Sequence, residues 1–203
     1  MPVGAAAAVG AHPSSMTVPR GGVSQSAQGG ASEAPAAAPP RPRLRENPRV
    51  AVIAIGEPML GEAAEEALEA QLARHGFDLY DERGILELRD GGGAASLAPS
   101  SLVGIVAERG VDVLILVEAA ALGERELLPL NQRYDYATTS RLRVDAFLTA
   151  ENDAIGRGWS DQVEYTQLNA EVKADQAMGA VSGELAEAVA AAWASYRDGA
   201  SRR

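Results

Sequence analysis

Chemistry in this sequence would have to come from a few places, each judged by residue type and spacing. Gly56 to Gly61 (GEPMLG) follows an apolar run and opens a helical pattern, where a phosphate-cradling loop would sit. Such a loop needs Lys followed by Ser or Thr, and here Glu62 and Ala63 stand instead, so the stretch reads as a strand-to-helix turn. Glu62, Glu65, Glu66 and Glu69 are spaced to meet along a helix, which in principle suits proton transfer or Ca²⁺. Near the positive end of the helix dipole they read instead as a solvated face. Ser182 precedes Gly183 in mid-helix without the Gly-x-Ser-x-Gly spacing of a nucleophile turn. His75 is the only histidine after residue 48 and there is no cysteine, so a Ser-His-Asp triad, a thiolate or a zinc site has almost nothing to draw on. No catalytic residue, cofactor-binding residue, cofactor or metal ligand is expected.

What remains is contact chemistry. Ala119 to Tyr136 reads as an excursion of about 18 residues between strands, longer than an ordinary connection. Leu127, Leu128 and Leu130 flank Pro129 within it, and Arg125, Arg133, Tyr134 and Tyr136 supply residue types favoured in interface hot spots. Leu127, Leu128, Arg133, Tyr134 and Tyr136, with Trp159 further on, are therefore the partner-contact candidates. Tyr134 and Tyr136 also alternate in phase with Ser140 and Leu142, so a strand that began early would bury them. Trp193 follows an apolar helical stripe and reads as core.

These residues are positioned by a regular succession of elements. Arg49 to Ile55 (RVAVIAI) and Val111 to Val117 (VDVLILV) are nearly continuous aliphatic runs, the pattern of strands buried on both faces. From Leu60 a helix carries Leu60, Ala64, Ala67, Leu68 and Leu72 on one side, and a second from Pro99 and Ser100 carries Leu102, Val103, Ile105 and Val106. Phe77 to Tyr80 is a short strand; Glu82 to Leu88 reads as a helical turn ahead of a loop at Gly91, Gly92 and Gly93. Both helices leave through one order of residues, Ala, two polar, Gly, apolar, Asp, apolar, at 73–79 and 107–113, which predicts two similar helix-to-strand turns with Gly76 and Gly110 as their left-handed residues. Ser140, Leu142, Val144, Ala146 and Leu148 alternate with Thr139, Arg141, Arg143 and Asp145, a strand with one wet face. Glu151 to Asp153 turns it into a hairpin partner, Ile155 to Tyr165. The last helix steps through Ala174, Met178, Val181, Leu185, Val189 and Ala192; Gly179 and Gly183 within it predict a close helix-on-sheet approach. The fold class is α/β, a mixed sheet of about five strands in the order β-α-β-α-β-β-β-α.

Composition divides the chain at about residue 48. Residues 1–48 are mostly Ala, Pro, Gly and Ser and hold none of the nine aromatic residues, so they read as a disordered tail or linker. Residues 49–203 read as the α/β domain. The tail carries a balance of +2 and the domain one of −12, which argues against nucleic acid and anionic membrane surfaces. No apolar stretch reaches 18 residues, so none is expected to span a membrane. MPVGAAAAVGA lacks a basic start and makes a poor signal peptide as written; it would suit the end of one whose start lies upstream.

RVAVIAI, LEAQLARHGFDLYD, AERGVDVLILVEA, SRLRVDAFLTAENDAIGRGWS and the Ala-rich last helix together resemble bacterial envelope proteins with a TolB N-terminal-like domain. That group includes the curli secretion lipoprotein, lipoprotein activators of penicillin-binding proteins and the flagellar T-ring protein. The resemblance covers about residues 49–197 and implies a non-enzymatic protein-interaction module in envelope assembly or secretion. It also implies a periplasmic or outer-membrane-associated location, with another envelope protein or a second copy as partner; without export the location would be cytoplasmic. The chain departs from the lipoprotein members in lacking a lipobox cysteine. The alternative is a small-molecule or nucleotide-binding enzyme domain of flavodoxin-like outline, which would need a ligand cleft where parallel strands diverge.

Overall fold

The computed structural model describes residues 44–81, 97–127 and 135–202. The expected helical turn at 82–88 and the glycine loop at 91–93 lie outside them. In order the elements are β1 (Arg49–Gly56), α1 (Pro58–Arg74), β2 (Asp78–Leu79), α2 (Pro99–Glu108), β3 (Val113–Leu127), β4 (Asp135–Leu148), β5 (Asp153–Ala154), β6 (Trp159–Tyr165) and α3 (Ala170–Ser201). The fold is the expected mixed α/β one, with the two-residue β5 as an added sixth strand. β1 lies between β2 and β3 and parallel to both, β4 is antiparallel to β3, and β5 and β6 pair antiparallel with β4.

The doubly buried runs behave as their composition requires. Val50, Val52, Val113, Ile115 and Val117 face the helices α1 and α3, joined there by Leu142 and Val144 of β4. Ala51, Ile53, Leu114 and Leu116 face the other way, under Leu102, Val103 and Val106 of α2. Past the reach of α2 the second face is wet, with Arg141 and Arg143 exposed and an ion pair of 2.7 Å from Arg143 to Asp145. A strand with a period of two thus takes over where the crossovers end.

The two echoed helix exits are the same motif. Gly76 and Gly110 adopt φ of 83° and 75°; Phe77 N–H and Val111 N–H reach back to the carbonyls of Leu72 and Val106, both at 3.2 Å, the paired bonds of a Schellman ending. The aspartates that follow both bind Arg49: Asp78 accepts from its guanidinium at 3.2 Å and Asp112 from its backbone N–H at 2.8 Å. The repeated order therefore pins both later strands to the start of β1.

Three expectations are corrected. The carboxylates of α1 are not all solvated: Glu65 turns inward and accepts from Ala54 N–H at 2.9 Å. β2 pairs only with Arg49 and Val50 of β1, so the helix carboxylate takes a strand-edge donor that β2 does not reach. Gly179 and Gly183 mark no close approach. Both are exposed, and a Cβ at either would meet nothing within 4 Å. Replacing either by Ala is accordingly expected to stabilise the domain by about 0.5–1 kcal/mol, read as a higher urea midpoint; a loss of stability would show that the helix needs them.

The third correction concerns Ala119 to Tyr136, which is not a loop over most of its length. β3 runs unbroken to Leu127 and β4 begins at Asp135, so the strands extend as a hairpin arm past the end of β1. Between Ala121 and Gly123 the register shifts by one residue, leaving Leu122 as a bulge with its side chain 48% exposed. Such a bulge bends and twists the arm away from the flat sheet.

Residues 44–48, which composition assigns to the tail, lie against the domain. Trp193 donates its indole N–H to the Arg45 carbonyl at 3.2 Å, Arg197 reaches the Glu46 carbonyl at 2.9 Å, and Asn47 donates to the Gly76 carbonyl at 3.4 Å. Two truncations are expected to differ. Removing residues 1–43, which composition marks as unable to build a core, should leave the melting temperature unchanged. Removing 1–47 should lower it by about 2–8 °C, from about 1–2 kcal/mol of lost hydrogen bonding and cover over Trp193. Equal melting of the two proteins would show that these contacts contribute nothing.

Candidate functional site

The side chains with most contact potential gather at the end of the sheet where β1 stops and the arm continues. Gly56 takes φ of 97°, and Glu57 N–H then donates to the Ala119 carbonyl at 2.7 Å. This ties the top of β1 to β3 and aims Glu57 at the start of α1, where its carboxylate accepts from Met59 and Leu60 N–H at 3.1 and 2.8 Å. Pro58 at the first helical position needs no N–H partner. The helix therefore begins two residues before the expected Leu60, capped by a side chain of its own chain.

That arrangement decides against a phosphate site. The backbone donors at the α1 N-terminus are already taken by a carboxylate, and the β1–β3 crevice is shut by the Gly56–Ala119 contact. A Cβ at Gly56 would run into the Ala119 carbonyl oxygen. In a flavodoxin-like domain the ligand enters at such a point; here β3 runs on past it and pairs antiparallel with β4. Among the described residues no group of three or more His, Cys, Asp or Glu is placed to hold a metal ion. Nor is any helix there long and apolar enough to cross a membrane.

Beside this closed crevice lies an open groove of about 730 Å³. Its walls are Glu57 and Met59 from α1, Glu124, Leu127, Tyr136 and Thr138 from the arm, and Tyr165 to Leu168 between β6 and α3. Met59 is 39% exposed, Tyr136 49% and Leu168 91%. Single exposed apolar residues are ordinary, but three of this size around one groove form a patch of the kind that marks an interaction site. Leu168 is held out by its own turn: Thr166 N–H donates to Asn169 Oδ1 at 2.6 Å, and Leu168 N–H to Thr166 Oγ1 at 3.3 Å.

Tyr165 forms the floor and is 3% exposed. Burial raises the pKa of its phenol above the ordinary 10.0; the hydroxyls of Ser140 and Thr138 pull it down, and the neighbouring Glu57 carboxylate pushes it up again. The fold thus prefers the protonated phenol. Its contribution is complete below pH 10 and declines as the pH rises toward the higher folded value, because the unfolded chain ionises first. Tyr165→Phe is expected to remove part of the loss of stability as the pH rises above 10; an unchanged decline in urea midpoints would assign it to other groups.

The candidates named from the sequence do not all converge. Leu127 and Tyr136 line the groove, and Tyr136 is exposed, not buried by the early start of β4. Leu128, Arg133 and Tyr134 lie outside the described residues. Trp159 sits six residues before Tyr165 on β6, roughly 20 Å along the strand, half-buried beside Met178 and Val181 over a small hollow of about 110 Å³. Trp193 is core, 3% exposed and stacked on Tyr196 at 5.5 Å. Met59, Tyr165 and Leu168 escaped the sequence reading: each fits a helix start or strand end on its own, and only the topology brings them together.

No protein-family model and no curated protein matches the chain. Solved structures similar to it include lipoprotein GNA1162 from Neisseria meningitidis, 12% identical over 69% of this chain and 99% of that one, with a TM-score of 0.42. The C-terminal domain of LpoB from Escherichia coli is 20% identical over 59% of this chain and 82% of that one, with a TM-score of 0.37. TolB from Acinetobacter baumannii is 12% identical, with a TM-score of 0.41, over 70% of this chain and 28% of its own.

Proposed function

We propose that this protein is a non-enzymatic protein-interaction module of a bacterial envelope assembly or secretion system, in the periplasm or at the outer membrane. The observation that carries the docking role is the groove beside the hairpin arm, with Met59, Tyr136 and Leu168 exposed around it. The envelope setting follows the sequence resemblance. Tyr136 on the arm, Met59 in the first turn of α1 and Leu168 on its hydrogen-bonded turn are held in place without being buried, which suits capture of a partner by preformed contacts. Another envelope protein is the partner this reading favours over a second copy, since two domains of balance −12 repel each other. The tie of Glu57 N–H to the Ala119 carbonyl at the end of β1 supports this reading over the flavodoxin-like alternative, whose ligand would enter there.

The test is capture by the full chain of proteins from the envelope fraction of its own source, compared with Met59→Ser, Tyr136→Ser and Leu168→Ser. Unchanged melting with lost capture is the expected result. Capture that ignores all three changes would remove the groove from the interface, and lost folding would make these side chains structural.

A further inference from the structure

The groove has a sign as well as a shape. Its described walls carry Glu57 and Glu124 and no Lys or Arg. Glu126 stands exposed opposite Tyr136 in the β3–β4 ladder, and Arg125 beside it is bound to Glu164 at 2.6 Å. Glu124 holds no ion pair among the described residues. Around this the whole of residues 49–203 adds a balance of −12, a field that draws cations toward an acidic, partly apolar cleft. We propose that the groove takes a cationic peptide segment with aliphatic side chains, supplied by another protein; this rests on the docking role above and adds the partner's chemistry.

The arginines of the tail next to the domain do not meet that need. The described chain begins at Leu44, and Glu46 is held by Arg197 near the end of α3, whereas the groove lies before its start at Ala170. At 1.5 Å per residue the two places are about 40 Å apart along the helix. Arg41 and Arg43 stand within three residues of Leu44, a reach of about 11 Å at full extension. Arg20 alone among the tail's arginines has enough chain between it and Leu44 to arrive. Several cations spaced among aliphatic side chains are therefore not available from the tail next to the domain, and a segment of another protein is the occupant that the groove's charge favours.

Binding of a labelled ten-residue peptide alternating Lys and Leu to the full chain tests this, read by fluorescence anisotropy. Peptides with Ser or Glu in place of Lys serve as comparisons. The expected result is tightest binding of the Lys peptide, weakened about ten-fold or more by Leu168→Ser and several-fold by Glu124→Gln, roughly 1.4 kcal/mol for the former. Equal or tighter binding of the Ser or Glu peptide, still sensitive to Leu168→Ser, would overturn the cationic assignment and leave the docking surface standing. Lys-peptide binding that ignores both Leu168→Ser and Tyr136→Ser would be adhesion to the acidic surface and would overturn the groove as the site. Substituting Arg20, Arg41 and Arg43 by Gln together should leave the affinity unchanged; a gain would show that the tail occupies the groove and would overturn supply from another protein.

Discussion

Leu114→Ala is expected to lower the unfolding free energy by about 2–5 kcal/mol, and combining it with Leu116→Ala should empty the native state of an ordinary domain, whose whole stability is about 5–15 kcal/mol. Leu114 is fully buried and Leu116 only 4% exposed, both under α2 in the smaller of the two cores. Among the described residues that core has eight buried side chains, Leu114 and Leu116 included. The two losses need not add, since the side chains share one face and one set of contacts. Urea denaturation of the single variants and circular dichroism of the double one measure the effect. A soluble double variant that melts normally would mean that β3 does not sit at the centre of the sheet.

Gly56→Ala is expected to be nearly as damaging, although it adds a single methyl group. The residue lies at φ of 97° and its new Cβ would meet the Ala119 carbonyl, a backbone atom that cannot swing aside. Gly110 provides the comparison, with φ of 75° but nothing within 4 Å of a Cβ. Gly110→Ala should cost only the left-handed penalty of about 1–2 kcal/mol. Gly56→Ala should cost a further 1–3 kcal/mol or so for the forced shift of β1 against β3. Because that shift also loosens the Glu57 N–H bond to Ala119, the variant should lose peptide binding in the groove before it loses the rest of the fold. Equal costs at the two glycines, measured by urea midpoints, would show that the β1–β3 junction gives way freely.

How much of this could be read from the residues depended on whether a local pattern or a distant partner decided the outcome. VDVLILV and RVAVIAI carry enough β-branched and aliphatic side chains to be buried strands under almost any topology, and both are. Gly76 and Gly110 announce helix ends because φ near 80° is cheap only for glycine. AAALGEREL, by contrast, has little intrinsic strand preference. It becomes the outer half of β3 because fourteen residue pairs align it and the preceding run with β4, and β4's alternation is strong enough to impose the register. Glu65 looked like one of four solvated acids, and only the brevity of β2 turned it inward toward Ala54. The groove was the least readable part: Met59, Tyr136 and Leu168 come from three separated segments, and nothing local to any of them reports the others.

The β3–β4 ladder also bears on the order in which the chain assembles. Its partners are eight residues apart at Leu127 and Asp135 and thirty-five at Val113 and Leu148, whereas β1 finds β3 across a separation of sixty-three, as between Val50 and Val113. Closing the short separations sacrifices less chain entropy than closing the long one. The hairpin can therefore zip from its tip and offer α3 a ready-made apolar face, while the parallel half waits for β1 to arrive. Until then the β3 edge that will receive β1 is open, and Val113 to Val117 is aliphatic throughout. The interval before β1 docks is thus when a newly made copy is most exposed to pairing with the wrong strand.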